Sequence, residues 1–215
     1  MTSAKRRTRM SPATAAVSPR AQSTRLRILD AAAAVMSERG LANATTKEIA
    51  RAAGFSEATL YKHFQDKEDL FLTVMRERLP TDFVGHLAGL ADRAGTSTVR
   101  ALLQEVAARA LPFYRELTPM LGAAFAQPDL LARHQGVLSA TGLGPHLALS
   151  ALADYLRAEQ RLGRLTERAL PDAFAALLLG ACFQRAFLIE FEGEHLDDQS
   201  ADEFARGLID SLLPD

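Results

Sequence analysis

The sequence predicts an all-α protein, with an N-terminal three-helix domain followed by a larger helical domain. Three observations predict this fold class. Hydrophobic residues make up 48% of the 215-residue chain, which is enough for a sizeable core. Alanine and leucine outnumber the β-branched residues, and both lose little conformational freedom in a helix. Apolar residues recur at helical spacing, and no segment alternates as a strand would.

The composition also limits the compartment. No apolar run reaches the roughly 18 residues needed to span a bilayer. The N-terminus is basic but lacks the apolar stretch of a secretory signal. The single cysteine, Cys182, excludes an intrachain disulfide and lies in an apolar run. We therefore expect a cytoplasmic protein in which Cys182 is a packed core thiol rather than a redox sensor.

The first segment, 1–20, is rich in Ala, Ser, Pro and Arg, which predicts a disordered basic arm. It could reach a minor groove or be an inert tail. Helix one follows at about 22–39, because Ile28 and Leu29 begin an apolar repeat that Gly40 ends.

The next segment predicts two short helices joined by a glycine turn. Thr45 and Glu48 have the spacing of a capping box that opens helix two at about 46–53. Gly54 supplies a positive φ for the turn. Ser56 caps helix three at about 57–63, and Asp66 caps helix four. Two such helices form a helix-turn-helix, so 21–67 is interpreted as a DNA-binding domain and 68–215 as a second, larger helical domain.

The rest of the chain keeps a helical pattern. A fifth helix begins near Val99 and is expected to bend or end near Pro112. Segment 117–144 contains several prolines and glycines and is expected to form short helices and loops. Further helices are predicted at about 145–162, at 171–191 with Pro171 in the first turn, and after a capping box at 200–203.

The charge is distributed unevenly between the two parts. Residues 1–67 hold 12 Lys and Arg against 5 Asp and Glu, whereas the remainder holds 13 against 21. A basic head on an acidic body favours a polyanionic partner for the head, although a solvated basic surface would show the same pattern.

Segment 45–71 reads TTKEIARAAGFSEATLYKHFQDKEDLF. It closely resembles the signature of the TetR/AcrR family of transcriptional regulators, with its Thr-Thr pair, Ile-Ala, Ala-Gly, serine cap, Thr-Leu-Tyr and Lys-Glu-x-Leu at matching spacings. The resemblance covers about 25–72. Phe55 stands where a smaller aliphatic residue is usual, and Ala58 where glycine is frequent. The resemblance implies a homodimeric DNA-binding regulator that a small molecule controls.

A recognition helix needs short side chains where it meets the bases. Thr59 could meet a thymine methyl group or a base edge, and Glu57 could accept from a cytosine amine or be merely exposed. Donors to phosphate fix register without reading sequence. The predicted DNA-binding residues are Thr46, Lys47, Ser56, Glu57, Ala58, Thr59, Tyr61, Lys62, His63 and Lys67. Tyr61 and His63 could instead be structural.

The second domain is interpreted as an effector chamber and a dimer interface. Polar and aromatic residues within its apolar helices are the candidate effector contacts, although each alone could be structural: His86, Gln104, Arg109, Phe113, Tyr114, Met120, Phe125, His134, Tyr155, Phe183 and Gln184. The helix at 171–191 is apolar nearly all round, so it needs burial on more than one side. The resemblance implies that the last two helices pair with those of a second subunit, through Phe174, Leu178, Phe187, Phe204, Leu208 and Leu212.

No motif points to an enzyme, a cofactor or a metal site. Zinc-ligand spacing, a phosphate-binding glycine loop and a nucleophile elbow are all missing from the sequence. The favoured interpretation is a repressor of a palindromic operator, released by a hydrophobic or cationic effector. The alternatives are an activator or effector-independent regulator, and a helical enzyme or partner-binding protein that carries the same head.

Overall fold

The computed structural model describes residues 19–78, 81–141, 144–195 and 197–213. Within these ranges the chain forms ten α-helices and one 3-10 turn, with no strand, which confirms the all-α fold class. The helices are α1 Pro19–Asn43, α2 Thr46–Ala53, α3 Glu57–Leu60, α4 Lys67–Glu77, α5 Thr81–Ala88, α6 Val99–Phe125, α7 Pro128–Thr141, α8 Pro145–Arg161, α9 Pro171–Glu192 and α10 Asp198–Leu212. We call α1–α4 the head and α5–α10 the body.

Helix α1 begins earlier and ends later than its sequence pattern predicts. Residues 1–18 of the predicted basic arm lie outside the described residues, but Pro19 and Arg20 already belong to α1. Gly40 does not end the helix. It has a φ of 73° and a ψ of 158°, so it makes a kink after which the helix continues for three residues.

The head is built around one hydrophobic core that extends into the body. Ile28, Leu29, Ile49 and Leu60 are fully buried at its centre, with Phe71 of α4 packed beside them. Ala124 at the end of α6 and Leu130 of α7 complete the same core. The head therefore packs directly against the corner between α6 and α7.

Helix α6 corrects the expectation for the middle of the chain. It runs for 27 residues through both Pro112 and Pro119. It therefore does not end near Pro112, which was one of the two expectations there, and it continues where short helices were expected from 117. Each proline removes one backbone donor, but burial of Leu102, Leu103 and Leu111 against neighbouring helices holds the helix together. The segment after it is also helical, because Pro128 is the first residue of α7, where a missing N–H has no cost.

Helix α9 is the central helix of the body. It packs against α6 and α8, burying Leu178, Leu179 and Cys182. Burial raises the pKa of the Cys182 thiol to about 12, as expected for a packed thiol. Contrary to expectation, α9 is by length and composition apolar enough to cross a membrane, a property that buried core helices share.

Helix α10 begins one turn before its predicted capping box. The Asp197 carboxylate accepts a hydrogen bond from the Ser200 N–H at 2.8 Å, and the helix starts at Asp198. An aspartate at this position satisfies a free N–H of the first turn as well as the predicted serine would.

Candidate nucleic-acid interface

The turn between α2 and α3 has the geometry that the sequence predicts. The Thr45 hydroxyl accepts from the Glu48 N–H, and the Glu48 carboxylate accepts from the Thr45 N–H, which completes the capping box. Gly54 has a φ of 76°, in the left-handed region, and the Phe55 N–H donates to the Ala50 carbonyl at 2.8 Å. The turn is therefore closed by backbone hydrogen bonds.

Phe55, which departs from the usual family pattern, has a structural explanation. The guanidinium of Arg27 lies 4.8 Å from the centre of the Phe55 ring. The same guanidinium donates to the Ala53 carbonyl at 3.0 Å. The larger ring therefore provides a cation–π surface that fixes α1 to the end of α2.

Helix α3 is short and held from its buried side. Ser56 caps it by accepting from the Thr59 N–H at 3.2 Å. The helix ends at Leu60, and tighter turns carry the chain to His63, so the predicted extent of 57–63 is too long at its C-terminal end. Leu60 and Phe64 are buried in the head core, which turns the intervening Tyr61 and Lys62 outward.

A hydrogen-bond network joins the exposed sides of α2 and α3. The Thr46 hydroxyl donates to the Glu57 carboxylate at 2.5 Å and lies 3.2 Å from the Tyr61 hydroxyl. The Ser56 and Thr59 hydroxyls are 2.9 Å apart. Glu57 is thus engaged within the protein, and its carboxylate holds Thr46 next to Tyr61.

The structure places the predicted DNA-binding residues on the outer side of the helix-turn-helix or at the start of α4. Five of them are exposed: Lys47, Ser56, Ala58, Tyr61 and Lys62. The other five are half-buried: Thr46, Glu57, Thr59, His63 and Lys67. Hydroxyl groups, ammonium groups and one imidazole are therefore available beside the N-terminus of α3, an arrangement suited to phosphate oxygens and base edges.

Ion pairs join α1 to α4, the two helices that flank the helix-turn-helix. Arg25 of α1 donates through two nitrogens to Glu77 of α4, at 2.7 and 2.8 Å. These hydrogen bonds lower the pKa of Glu77 to about 2. Arg78 pairs with Asp30 at 2.8 Å and ties the end of α4 to α1 a second time.

One contact between head and body was missed by sequence reasoning. Arg133 of α7 donates at 3.0 Å to both oxygens of Asp66, the residue that caps α4 beside Lys67. The two residues are 67 positions apart, so no local pattern indicates the pair. The acidic cap of α4 and the arginine are each visible in the sequence, but only the fold brings them together.

The predicted effector residues lie in separate places. Three of them form an aromatic cluster with Phe83: Phe113, Tyr114 and Phe183. The centres of the contacting rings are 5.0 to 6.2 Å apart. Burial raises the pKa of Tyr114 to about 12. Met120 lines a cleft between head and body.

His86 is half-buried on α5, and Tyr155 and Glu159 are fully buried on α8. Three of their atoms have no hydrogen bond within the described residues: the His86 Nε2, the Tyr155 hydroxyl and one Glu159 oxygen. Burial and the neighbouring Glu159 carboxylate raise the pKa of the Tyr155 hydroxyl. The Nδ1 atom of His86 lies 3.6 Å from Glu105, but burial outweighs this carboxylate and lowers the pKa of His86. Unpaired buried polar atoms are rare in folded proteins, so these atoms are exceptions within the body.

The remaining effector candidates are apart from the cluster. Gln104 and Arg109 line an open groove against α10. Phe125 is 67% exposed at the end of α6. His134 is half-buried on α7 and Gln184 is exposed on α9. None of these five residues belongs to the aromatic cluster around Tyr114.

The dimer candidates divide in the same way. Phe174 and Leu178 are buried in the body core, which corrects their expected place at an interface. Phe187 is exposed and stacks on Phe191 at 5.8 Å, and Phe191 is 78% exposed. On α10, three residues are half-buried: Phe204, Leu208 and Leu212. An apolar face of α9 and α10 is therefore open in the single chain.

In the described part of the chain, no group of three or more His, Cys, Asp or Glu side chains could hold a metal ion. The acidic residues between α9 and α10 make other contacts. Glu194 pairs with Arg185 at 2.7 Å, and Asp197 caps α10.

Known proteins resemble both the head and the whole fold. Residues 28–74 match the family described as bacterial regulatory proteins, tetR family. The HTH-type transcriptional regulator AcrR of Shigella flexneri is 47% identical over 51 residues, which is 24% of the length of each protein.

Two solved structures match nearly the whole chain. A putative TetR-family transcriptional regulator from Mesorhizobium loti superposes with a TM-score of 0.74, at 22% identity over 91% of this chain and 98% of that one. SmeT, the repressor of the Stenotrophomonas maltophilia multidrug efflux pump SmeDEF, superposes with a TM-score of 0.65. Its sequence identity is 22%, over 89% of this chain and 91% of that one. These likenesses establish a common fold.

The head therefore matches this family by sequence, in its caps and turn, and the full chain matches it in fold. Residues 28–74 belong to the tetR family of bacterial regulatory proteins, and the chain as a whole has the fold of solved TetR-family regulators.

Proposed function

We propose that this chain is a cytoplasmic, homodimeric repressor that binds a palindromic operator through α3 and is released by a small, largely apolar effector. The single observation that carries the proposal is the α2–α3 unit, which exposes short polar side chains at the N-terminus of a firmly anchored helix. The family contains regulators and not enzymes, so the helical-enzyme alternative is set aside.

In this proposal α3 lies in the major groove and its first residues read the bases. Ala58 and Thr59 are short enough for close approach, and the Thr59 methyl group can contact a thymine methyl. The phosphate contacts are Thr46, Lys47, Ser56, Tyr61, Lys62, His63 and Lys67. Glu57 orients Thr46 in the free protein and is free to accept from a cytosine amine once DNA replaces that contact.

The proposed dimer uses the open apolar face of α9 and α10. Leu177, Phe187 and Phe191 are exposed on α9, and burying three such side chains provides several kcal/mol of association energy. Phe204, Leu208 and Leu212 supply the face of α10. A two-fold axis through this surface would place two α3 helices on the same side of a duplex, as a palindrome requires.

The proposed effector site lies in the body around the aromatic cluster. Phe83, Phe113 and Tyr114 provide an apolar wall, while His86 and Tyr155 provide polar atoms that lack partners. SmeT has also been solved as a complex with triclosan, and that structure has a TM-score of 0.65 and 24% identity to this chain. A hydrophobic effector, neutral or cationic, fits this surface better than a phosphorylated one.

The test is selection of genomic fragments on the purified full chain, followed by sequencing of the bound DNA. We expect enrichment of a palindrome with half-sites about one helical turn apart. Affinity should fall steeply with added salt, because several phosphates are neutralised. Tight binding to an isolated half-site, or an affinity independent of salt, would contradict the proposal.

The sign of regulation is tested by transcription from the selected promoter in vitro. A repressor lowers transcript yield when it occupies the operator, whereas an activator raises it. Effector control is tested in the same reaction, since a ligand of the body must change operator affinity. If every ligand that binds leaves operator affinity unchanged, the chain is an effector-independent regulator.

A further inference from the structure

The carboxylate of Glu57 is an unusual group for a surface that is proposed to receive a polyanion. Glu57 is the first residue of α3 and is half-buried. It accepts a hydrogen bond from the Thr46 hydroxyl at 2.5 Å, and Thr46 and Tyr61 are both proposed phosphate donors. A negative charge therefore lies among the groups that would contact the DNA backbone, where like charges repel.

The hydrogen bonds around Glu57 determine where two hydroxyl protons go. A threonine hydroxyl has a single proton, and that of Thr46 is donated to Glu57. The Tyr61 hydroxyl lies 3.2 Å from the Thr46 oxygen. Because the Thr46 proton is already used, Tyr61 is the donor of this second bond. We call this arrangement the hydroxyl chain: Tyr61 donates to Thr46, and Thr46 donates to Glu57.

The hydroxyl chain conflicts with phosphate binding. Both protons point towards the carboxylate in the free protein, so a phosphate oxygen can accept from these hydroxyls only after the chain is broken. Once DNA takes the two donors, Glu57 keeps its charge but loses its hydrogen bond, in a surface from which water is displaced. A charged group in that state costs free energy unless another donor replaces the lost one.

The base edges of the major groove differ in how well they replace this donor. The cytosine amine has an acceptor on one side only, since guanine O6 follows it across the pair. The adenine amine lies between two acceptors, adenine N7 and thymine O4, and both repel a carboxylate. Glu57 is therefore satisfied opposite a cytosine and poorly satisfied opposite the other bases.

We propose that Glu57 determines specificity by exclusion: it weakens binding to duplexes that lack cytosine at the facing position and adds little affinity for those that have it. This inference rests on the proposed function and assigns a chemical requirement to one position of the operator. An ordinary base contact acts in the opposite sense, by strengthening the correct complex. The two cases differ in which duplex responds when the side chain is removed.

The test begins with selection of sites from a pool of randomised duplex DNA, by the full chain and by its Glu57→Ala variant. We expect the parent to enrich a palindrome with cytosine at one position of each half-site, and Glu57→Ala to keep the palindrome without that preference. Affinities are then measured on the duplex that the parent selects and on a copy in which an A·T pair replaces the cytosine pair. Glu57→Ala should bind the replaced duplex about tenfold more tightly than the parent does, and the selected duplex within about twofold of the parent.

Two further variants separate this mechanism from a general effect of charge. Glu38→Ala removes an exposed carboxylate from α1 of the same head and should bind both duplexes like the parent. In a Thr46→Val background the free protein has no hydroxyl chain to break, so the gain from Glu57→Ala on the replaced duplex should be smaller. Circular dichroism checks that each variant is folded.

A loss of affinity of Glu57→Ala for the selected duplex, with no gain on the replaced one, would make Glu57 an ordinary base contact and overturn the proposal. The same gain in Glu38→Ala, or an undiminished gain in the Thr46→Val background, would overturn it too. Failure of the parent to select any duplex would refute the proposed function itself. Selection of a palindrome without a cytosine preference would refute only this inference.

Discussion

Thr46 is the residue through which the two helices of the DNA-binding unit are joined. Its hydroxyl bonds Glu57 and lies beside the Tyr61 hydroxyl, so three side chains from two helices share one arrangement. Such a network orders the long tyrosine side chain before DNA arrives, which lowers the entropy cost of binding. The outer side of the unit is therefore partly preorganised.

Base reading and phosphate binding can be separated at single residues. Thr59→Ala should alter preference at one base-pair position by roughly 1–3 kcal/mol, because it removes a proposed base contact. Tyr61→Phe and Lys67→Ala should weaken binding to all duplexes by the same factor, whatever their sequence. The measurement compares a selected operator with random duplex. A change of sequence preference in Lys67→Ala, with none in Thr59→Ala, would reverse the assigned roles.

The Glu77 carboxylate makes the free energy of unfolding depend on pH in the acidic range. Its pKa of about 2 lies below the ordinary 4.5, since Arg25 donates two hydrogen bonds to the charged form. Its stabilising effect is therefore complete above about pH 4.5 and is lost as the pH falls towards 2. After allowance for partial exposure, we expect a loss of about 2 kcal/mol in the free energy of unfolding.

Urea unfolding between pH 5 and 2.5 measures this effect. Glu77→Gln should be less stable than the parent at pH 5, and the difference should shrink as the solution is acidified. Glu167→Gln should follow the parent throughout. A constant difference between Glu77→Gln and the parent would show that the Arg25 pair is not what responds to acid.

At the scale of elements, the N-cap residue of α4 has two roles. Asp66 caps the helix by accepting from the Asp69 N–H at 2.7 Å, and it pairs with Arg133 of the body. Asparagine caps as well as aspartate but carries no charge. The two roles can therefore be separated by substitution.

Asp66→Ala should cost about 1 kcal/mol of stability through the lost cap, with the lost ion pair in addition. Asp66→Asn should cost less than about 1 kcal/mol, because it removes only a half-exposed ion pair. Ser56→Ala is the matched loss of a cap without a body contact. Equal destabilisation by Asp66→Asn and Asp66→Ala would mean that the arginine pair dominates.

The caps show how far sequence reasoning reaches. Thr45 with Glu48, Ser56, and Asp66 were all predicted, because a cap acts over three residues and leaves a local pattern. The full length of helix α6 was not predicted, because a proline inside a helix is tolerated only when helices distant in sequence bury its neighbours. The expected bend or end near Pro112 followed local preference, and the helix does not end there because tertiary packing outweighs that preference.

The same distinction applies to the candidate site. Residues of the helix-turn-helix lie on the outer side as expected, since their positions follow from two short helices and a turn. Their roles toward DNA stay predictions. The effector candidates lie in separate places in the structure. Periodicity identifies an apolar helix, but it does not show which neighbouring helix each side of that helix contacts. The cleft beside Met120 is formed by four segments that are distant in sequence.

At the scale of the whole molecule, the open face of α9 and α10 is the proposed dimer interface. Leu208→Glu with Leu212→Glu should abolish the dimer and operator binding, because buried charges without partners cost several kcal/mol. Phe187→Glu with Phe191→Glu should act alike and disturb the protomer less, since both rings are exposed.

Light scattering and circular dichroism check this prediction together. Each double variant should have the mass of a monomer and keep its helical signal. Val84→Glu, an exposed apolar position on α5, is the control and should stay dimeric. A dimer that survives both double variants would place the interface on another surface.

The head core has a consequence for building hybrid regulators. Ala124 and Leu130 belong to the body in sequence but to the head in packing. A chimera that joins this head to a foreign body after α4 would lose both side chains and leave apolar surface open to water. Exchange of operator specificity between family members should therefore succeed only under one of two conditions. Either the α6–α7 corner is transferred together with the helix-turn-helix, or the foreign body has side chains of the same size at that corner.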